Sequence, residues 1–396
     1  MLCAQDTAAL EDAGRQSPQA LRRRIMIVAG EASGDMHGAD LVREIFACAP
    51  QCEFFGIAGE RMRSAGVRAL FRAEDVAGLG LTELASTIKR TAGAMLRLRA
   101  ILRTEKPDLL ILIDFAEFNM LLAKAAKSAG VPVLYYITPQ VWAWRRGRVR
   151  KLIERADRLA VVLPFEAQLF ARAGERAVFV GHPLLDKVRI TASRAETLQR
   201  HHLAPDARLL ALLPGSRRRE VRYLLPPMIE AARILRRDHQ LIPCLALAHT
   251  LEAAELGRLS GVDLSGIQVV QHDTYNIVAA SDVALVASGT ATLETALLGC
   301  PMVIAYKVAA PTYLVGRMLI TGVKFIGMPN ILAGGAIVPE LIQGEASGPR
   351  LADAAAAMLE QPLRGRTIEA LGRIRSQLGA PGAAARVAAM ALAMIE

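Results

Sequence analysis

A chain of 396 residues with 53% apolar side chains exceeds what one hydrophobic core usually supports, so two domains are the expectation. The balance of 48 Lys and Arg against 38 Asp and Glu gives a net charge of +10, which suits phosphorylated substrates, an anionic membrane face or nucleic acid. Aromatic residues are only 5%, and without an RNP-like motif, a Cys/His finger spacing or a long basic run, nucleic acid is set aside as a partner.

Residues 1–21 are small and polar without periodicity and read as an extension. The arginines of "LRRRIMIVAGEASGD" look like the start of an export signal, but the apolar run stops after Ala29, so it is a first strand. No stretch reaches the roughly 18 to 20 apolar residues of a spanning helix, and any membrane contact must be peripheral. Strand-like runs then alternate with helical segments: "RIMIVAG", "CEFFGIAG", "DLLILID", "PVLYYIT", "RLAVVLP" and "AVFVGHP". That alternation predicts βαβ units and a parallel sheet over residues 22–186. After the polar connector 190–207, a second series over 187–365 repeats the pattern with "RLLALLP", "IPCLALA", "IQVVQ", "DVALVASGT" and "MVIAYK". Residues 366–396 are Ala-rich and helical. The fold class is therefore α/β, two Rossmann-like lobes facing a central cleft, with ligands at the carboxyl ends of the strands. Five cysteines without C-x-x-C spacing imply neither disulfides nor a zinc site and fit a reducing cytoplasm.

Chemistry-bearing residues recur at those strand ends. "GEASGDMHG" places Gly30, Gly34 and Gly38 at every fourth position, but it is neither a G-x-G-x-x-G fingerprint nor a P-loop. Its small residues allow either a close ligand or close helix–strand packing. From Val76 to Arg103, Leu84, Ile88, Met95, Leu98 and Leu102 form a helical stripe opposite Arg90 and Arg97. Such a helix suits an anionic interface or an acyl groove, or else simply packs on the core. "DLLILIDFAEFN" puts Asp114 at a strand's carboxyl end, where a general base belongs, with Glu117 and Asn119 just after it. Trp142 and Trp144 precede a basic segment and fit an amphipathic ligand, a bilayer surface or a packed corner. His182 closes the last strand of this half; a lone histidine there more often packs than reacts.

In the second half, "PGSRRRE" sets Arg217 beside Ser216 in a turn, a pattern that clamps phosphate bidentately or merely opens a solvated helix. "SGTATLE" starts a helix after a strand, so Ser288, Gly289, Thr290 and Thr292 offer backbone and hydroxyl donors to an anion. Glu294, one turn on, suits a ribose diol, or only complements the helix dipole.

Together, "IVAGEASGD", "YITPQVWAWR", "LPFE", "VGHPLLD", "LLPGSRRRE", "SGTATLE" and "MPNILAGGAIVPELIQ" resemble the lipid-A-disaccharide synthase family, in its order, from about residue 25 to 345. The resemblance implies an inverting glycosyltransferase with the fold called glycosyltransferase B. The first lobe would face acceptor and membrane, and the second would hold UDP-2,3-diacylglucosamine. The acceptor would be 2,3-diacylglucosamine 1-phosphate, and the products UDP and a β-1,6-linked disaccharide. No cofactor or metal is implied. The expected location is cytoplasmic, peripheral on the phospholipid surface of the inner membrane, with a second copy of the chain as another candidate partner. By motif, Asp114 would be the base, Arg217 would hold the diphosphate, Glu294 the ribose, and Asn330 would close on donor or acceptor phosphate. Glu31, Ser33, Gly34, Asp35, Glu117, Asn119, His182 and Lys307 are further candidates for substrate or cleft contacts. Two departures are Ala116, where proline is common, and Gly335 with Ala336, where charged residues are common. A UDP-sugar 2-epimerase, a related transferase with another lipid-linked acceptor, and a non-enzymatic membrane-surface binder remain as alternatives.

Overall fold

The computed structural model describes residues 22–76, 84–144, 147–247, 253–310, 313–314 and 322–396. Two parallel sheets organise them. The first contains β1 (Arg24–Ala29), β2 (Glu53–Ala58), β3 (Arg68–Arg72), β4 (Leu109–Ile113), β5 (Val133–Tyr136), β6 (Arg158–Val161) and β7 (Ala177–Phe179), in spatial order 3-2-1-4-5-6-7. The second contains β8 (Arg208–Leu213), β9 (Leu241–Ala246), β10 (Gln268–Val270), β11 (Val283–Ala287), β12 (Met302–Tyr306) and β13 (Glu340–Ile342), in order 10-9-8-11-12-13. The central strands carry apolar residues on both faces because helices cover both: every residue of β4, "LLILI", and of β11, "VALVA", is buried. The chain groups into two compact units, one running through Pro139 with 152–160 and 384–396, the other made of 140–151 and 161–383.

Each sheet reverses its strand order once, between β1 and β4 in the first and between β8 and β11 in the second. Chain leaving two such neighbours turns off to opposite faces, which opens a crevice at their carboxyl ends. The segments that emerge there are Gly30–Glu31 and Asp114 in the first sheet, and Gly215–Arg217 and Ser288–Thr290 in the second. The two sets of candidate residues thus occupy equivalent places in two copies of one topology.

Three local features differ from the sequence reading, and one of its alternatives is decided. β3 and β13 are edge strands that it did not name. Within the connector 190–207, a helix Arg194–Arg200 forms, capped by Ser193, whose hydroxyl accepts from the Glu196 N–H while Glu196 accepts from the Ser193 N–H at 2.7 Å. That connector is fastened within the second unit by Asn276, whose Oδ1 accepts from the backbone of Thr191 at 2.9 Å and Ala192 at 3.2 Å. In the helix Leu84–Thr104, Leu98 and Leu102 are fully buried, so this part of the apolar stripe is core, while Leu96 is 67% exposed. The side chains of Leu84 and Ile88, the "VAGLGLT" segment 77–83 and the extension 1–21 lie outside the described residues.

Candidate functional site

In the first sheet, β4 ends at Ile113, and the chain then takes two consecutive left-handed residues, Asp114 and Phe115, each at φ 47°. L-residues pay about 1 to 3 kcal/mol for such a conformation, so surrounding bonds must hold it. The Asp114 N–H reaches the carbonyls of Tyr136 at 3.4 Å and Ile137 at 3.2 Å. Its carbonyl accepts from the Tyr135 hydroxyl and from Asn119 Nδ2, both at 2.8 Å. The turn packs tightly against the end of β1: a Cβ on Gly30 would lie 2.4 Å from the Phe115 ring. The Asp114 carboxylate is pushed up to about 6, chiefly by burial, further by the neighbouring Glu31 carboxylate, and partly restrained by a hydrogen bond from the Phe115 N–H. An acid titrating there is mostly ionised at neutrality, yet basic enough to exchange a proton with a hydroxyl.

In the second sheet, the turn after β8 places Gly215 at φ 109°, and Ser216 and Arg217 lead into the helix Arg218–His239. The Glu220 carboxylate accepts from the N–H groups of Ser216 at 3.2 Å and Arg217 at 3.4 Å, and pairs with the Arg217 guanidinium at 3.2 Å. The Arg217 side chain remains 71% exposed. After β11, Ser288 donates from its backbone to Ala305 and from its hydroxyl to Ile326. Gly289, at φ 154°, and Thr290 are exposed at the amino end of the helix Thr290–Leu297. Glu294 is pushed up by burial and accepts from the Tyr275 hydroxyl at 3.4 Å. Lys307 lies half-buried just past β12, and Tyr306 before it is raised by burial and by the Glu220 carboxylate. An arginine, a helix amino end and a half-buried acid thus collect at one switch point, a combination suited to an anionic group joined to a diol.

Several candidates face inward on backbone. Asp35 accepts from the N–H groups of Arg61 at 2.9 Å and Met62 at 3.1 Å, holding the start of the helix Glu60–Ser64. Gly34 is buried where an added Cβ would make only ordinary contacts, 3.4 Å from Ala29 and 3.6 Å from Ile113, so packing alone does not require a glycine; Ser33 beside it is half-buried. Asn119 is fully buried and uses its amide on the Ile113 and Asp114 carbonyls, while Glu117 is exposed. Thr292 is fully buried with its hydroxyl on the Gly289 carbonyl. His182 accepts at Nδ1 from the Leu184 N–H, and burial lowers it to about 4, which keeps it neutral. Asn330 donates to Val338 and Glu340 and accepts from Ile337 and Val338; all four of these bonds are internal and tie the helix Met328–Ala333 to the chain that leads into β13. Trp142 packs edge-on against Phe165 and donates to Glu166, the packed-corner arrangement; Trp144's side chain lies outside those described.

Tyr135, Glu220 and Tyr275 were not singled out from the sequence. For Glu220, an acid in the first turn, three residues after the N-cap position Arg217, is the readable signal: its carboxylate reaches back to the N–H groups that open the helix. For the two tyrosines, the partners are distant in sequence and no local pattern marks them. Among the described residues, no group of three or more His, Cys, Asp or Glu side chains could hold a metal ion. No described helix is long and apolar enough to cross a membrane.

A family model described as lipid-A-disaccharide synthetase matches residues 25–392. The lipid-A-disaccharide synthase of Syntrophus aciditrophicus is 49% identical over 377 residues, spanning 94% of this chain and 98% of its own length. That of Geobacter sulfurreducens is 46% identical over 376 residues, spanning 94% and 97%. Among solved structures, the calicheamicin glycosyltransferase CalG4 superposes with a TM-score of 0.60 at 15% identity, covering 94% of this chain and 98% of its own. A UDP-GlcNAc 2-epimerase from Neisseria meningitidis, bound to UDP-GlcNAc, gives 0.58 at 12% identity, covering 93% and 100%. At such identities the two structures speak for the fold alone, the double Rossmann arrangement that transferases and epimerases share.

Proposed function

The chain belongs to the lipid-A-disaccharide synthase family and is a glycosyltransferase, and from that premise we propose that its first switch point activates an acylated acceptor while its second holds a UDP-linked donor. The acceptor is 2,3-diacylglucosamine 1-phosphate and the donor UDP-2,3-diacylglucosamine. Asp114 takes the proton of the acceptor 6-hydroxyl. The freed oxygen bonds to the anomeric carbon as the bond to the diphosphate breaks, and its electron pair leaves on UDP. Configuration inverts, giving the β-1,6 linkage. Arg217 and the amino end of the helix Thr290–Leu297 meet the charge growing on UDP, and Glu294 accepts from the ribose hydroxyls.

The observation that carries this reading is Asp114 itself: a half-buried carboxylate at the end of β4, raised to about 6 by desolvation and Glu31. It is ionised in most molecules above neutrality, yet basic enough to receive a proton. Release of UDP from the paired acylated substrates, measured for Asp114→Asn, tests it. The variant should lose roughly a hundredfold to ten-thousandfold in kcat, the usual contribution of a positioned base. Full turnover would remove Asp114 from the role. Lipid substrates and the net charge of +10 support residence on the cytoplasmic face of the inner membrane. Leu96, exposed beside Arg97, offers one point of contact there.

A further inference from the structure

The peptide group between Asp114 and Phe115 is held firmly at its carbonyl end. Its carbonyl oxygen accepts two hydrogen bonds, from the Tyr135 hydroxyl and from Asn119 Nδ2, each at 2.8 Å. Both donors are fully buried. Its N–H, belonging to Phe115, acts on the Asp114 carboxylate and favours the charged form. The peptide is thus a rigid link between two core side chains and the acid.

That link is under strain. Asp114 and Phe115 are left-handed at φ 47°, and Ile137, whose carbonyl receives the Asp114 N–H, is a β-branched residue at φ 57°. A relaxed chain would rotate the 114–115 peptide toward ordinary backbone angles. The carbonyl would then leave its two donors, and the N–H would leave the carboxylate.

We propose that Tyr135 and Asn119 are positioning residues for the transfer reaction: by fixing the Asp114 carbonyl they hold the strained 114–115 turn, and with it the carboxylate, aimed at the acceptor hydroxyl. Neither touches substrate. Two donors on one carbonyl also polarise the peptide, which strengthens its N–H as a donor at the other end. The proposal rests on Asp114 being the base.

Other charges near the turn stay constant when Tyr135 is changed. Glu31 stands at the start of the helix Ala32–Cys48 and acts on Asp114; Glu117, on the helix Ala116–Ala129, acts on Tyr135. Tyr135 itself is raised well above its usual value and stays protonated across the working range. A shift in the pH profile of the variant therefore reports the peptide.

The test is Tyr135→Phe in the full-length protein, assayed by UDP release with both acylated substrates. Turnover should fall roughly tenfold, about what one neutral hydrogen bond contributes, with acceptor KM and UDP affinity unchanged. The acidic limb of kcat should move to higher pH, because the carboxylate loses a donor that favours its charged form. If Tyr135→Phe does not fold, as judged by thermal melting, Asn119→Ser carries the same readouts. A folded variant whose kcat and acidic limb match the parent overturns the proposal; so does a loss expressed only in acceptor KM. Asp114→Asn separates the two levels: if it is inactive while Tyr135→Phe is unaltered, the base stands and the positioning role falls.

Discussion

The two switch points share a topology and differ in almost everything else. At the first, the strand-end turn is made of Asp114 and Phe115 in left-handed angles that L-residues resist, pinned by buried donors and crowded by a second carboxylate. At the second, glycines take the unusual angles, 109° at Gly215 and 154° at Gly289, and the charged group Arg217 lies largely in solvent. A base needs burial to lift its proton affinity toward neutrality, and it needs a fixed direction, so rigid, costly backbone serves it. An anion cradle needs backbone N–H groups and a cation that a large polar ligand can reach, so permissive glycine turns serve it. One fold thus supplies the crevice twice, and the side chains decide which chemistry each crevice performs.

The contrast is broken most directly by exchanging the charge at each site. Asp114→Asn removes the acid, and the expected loss of at least a hundredfold falls on kcat, with UDP binding to the second unit unchanged. Arg217→Ala should cost roughly a hundredfold to a thousandfold in turnover, the range for losing one preorganised donor to a developing anion. Because the diphosphate is present before and after reaction, UDP affinity should weaken as well. Isothermal titration with UDP separates the two: affinity lost in Arg217→Ala and kept in Asp114→Asn is the expected pattern, and the reverse pattern would exchange the roles of the two units.

Stability gives the next test, with a definite sign. Asp114 holds its proton more tightly folded, at about 6, than its ordinary value of 3.8. Its contribution to stability is therefore present below pH 3.8 and is lost as the pH rises through about 6. Asp114→Asn should accordingly be more stable than the parent at pH 8, by at most about 3 kcal/mol, with the gain shrinking as the pH falls toward 4. Denaturant melts at the two pH values measure it. No gain at pH 8 would mean that the carboxylate is not strained by its surroundings, and the contrast between a costly and a permissive switch point would lose its energetic half.

How far these sites were legible follows from where each residue's partners lie. β1, β4, β8 and β11 are near-continuous apolar runs, so the strands and the residues at their carboxyl ends, Asp114, Ser216, Arg217 and Ser288, were marked by position alone. β3, "RALFR", and β13, "ELI", sit at sheet edges, half-exposed and carrying charges, so their pattern is diluted. Polar residues were harder, because a side chain's role depends on partners that local sequence does not reveal. Asp35 finds its partners at Arg61 and Met62, and Asn330 at Glu340 and Val338. Each reads as a ligand contact in sequence, where those bonds are not in view. The apolar stripe of the helix Leu84–Thr104 shows the same limit: periodicity marks a buried face, and it cannot say whether protein or lipid does the burying. Leu98 and Leu102 meet protein.

The smallest effect sharpens the second switch point from within. Glu294 is raised by burial, and the Tyr275 hydroxyl, donating at 3.4 Å, partly offsets that rise by favouring the charged form. If Glu294 binds a ribose diol as an ionised acceptor, Tyr275→Phe should raise its proton affinity and weaken UDP binding by a small factor, roughly two- to fivefold, since the bond is long. The weakening should grow as the pH falls, because protonation then competes with the diol, whereas Arg217→Ala should weaken UDP about equally across the same range. Isothermal titration of both variants between pH 5.5 and 8 distinguishes them. A pH-independent effect of Tyr275→Phe would assign the tyrosine to packing and leave Glu294 without an electrostatic partner in the cradle.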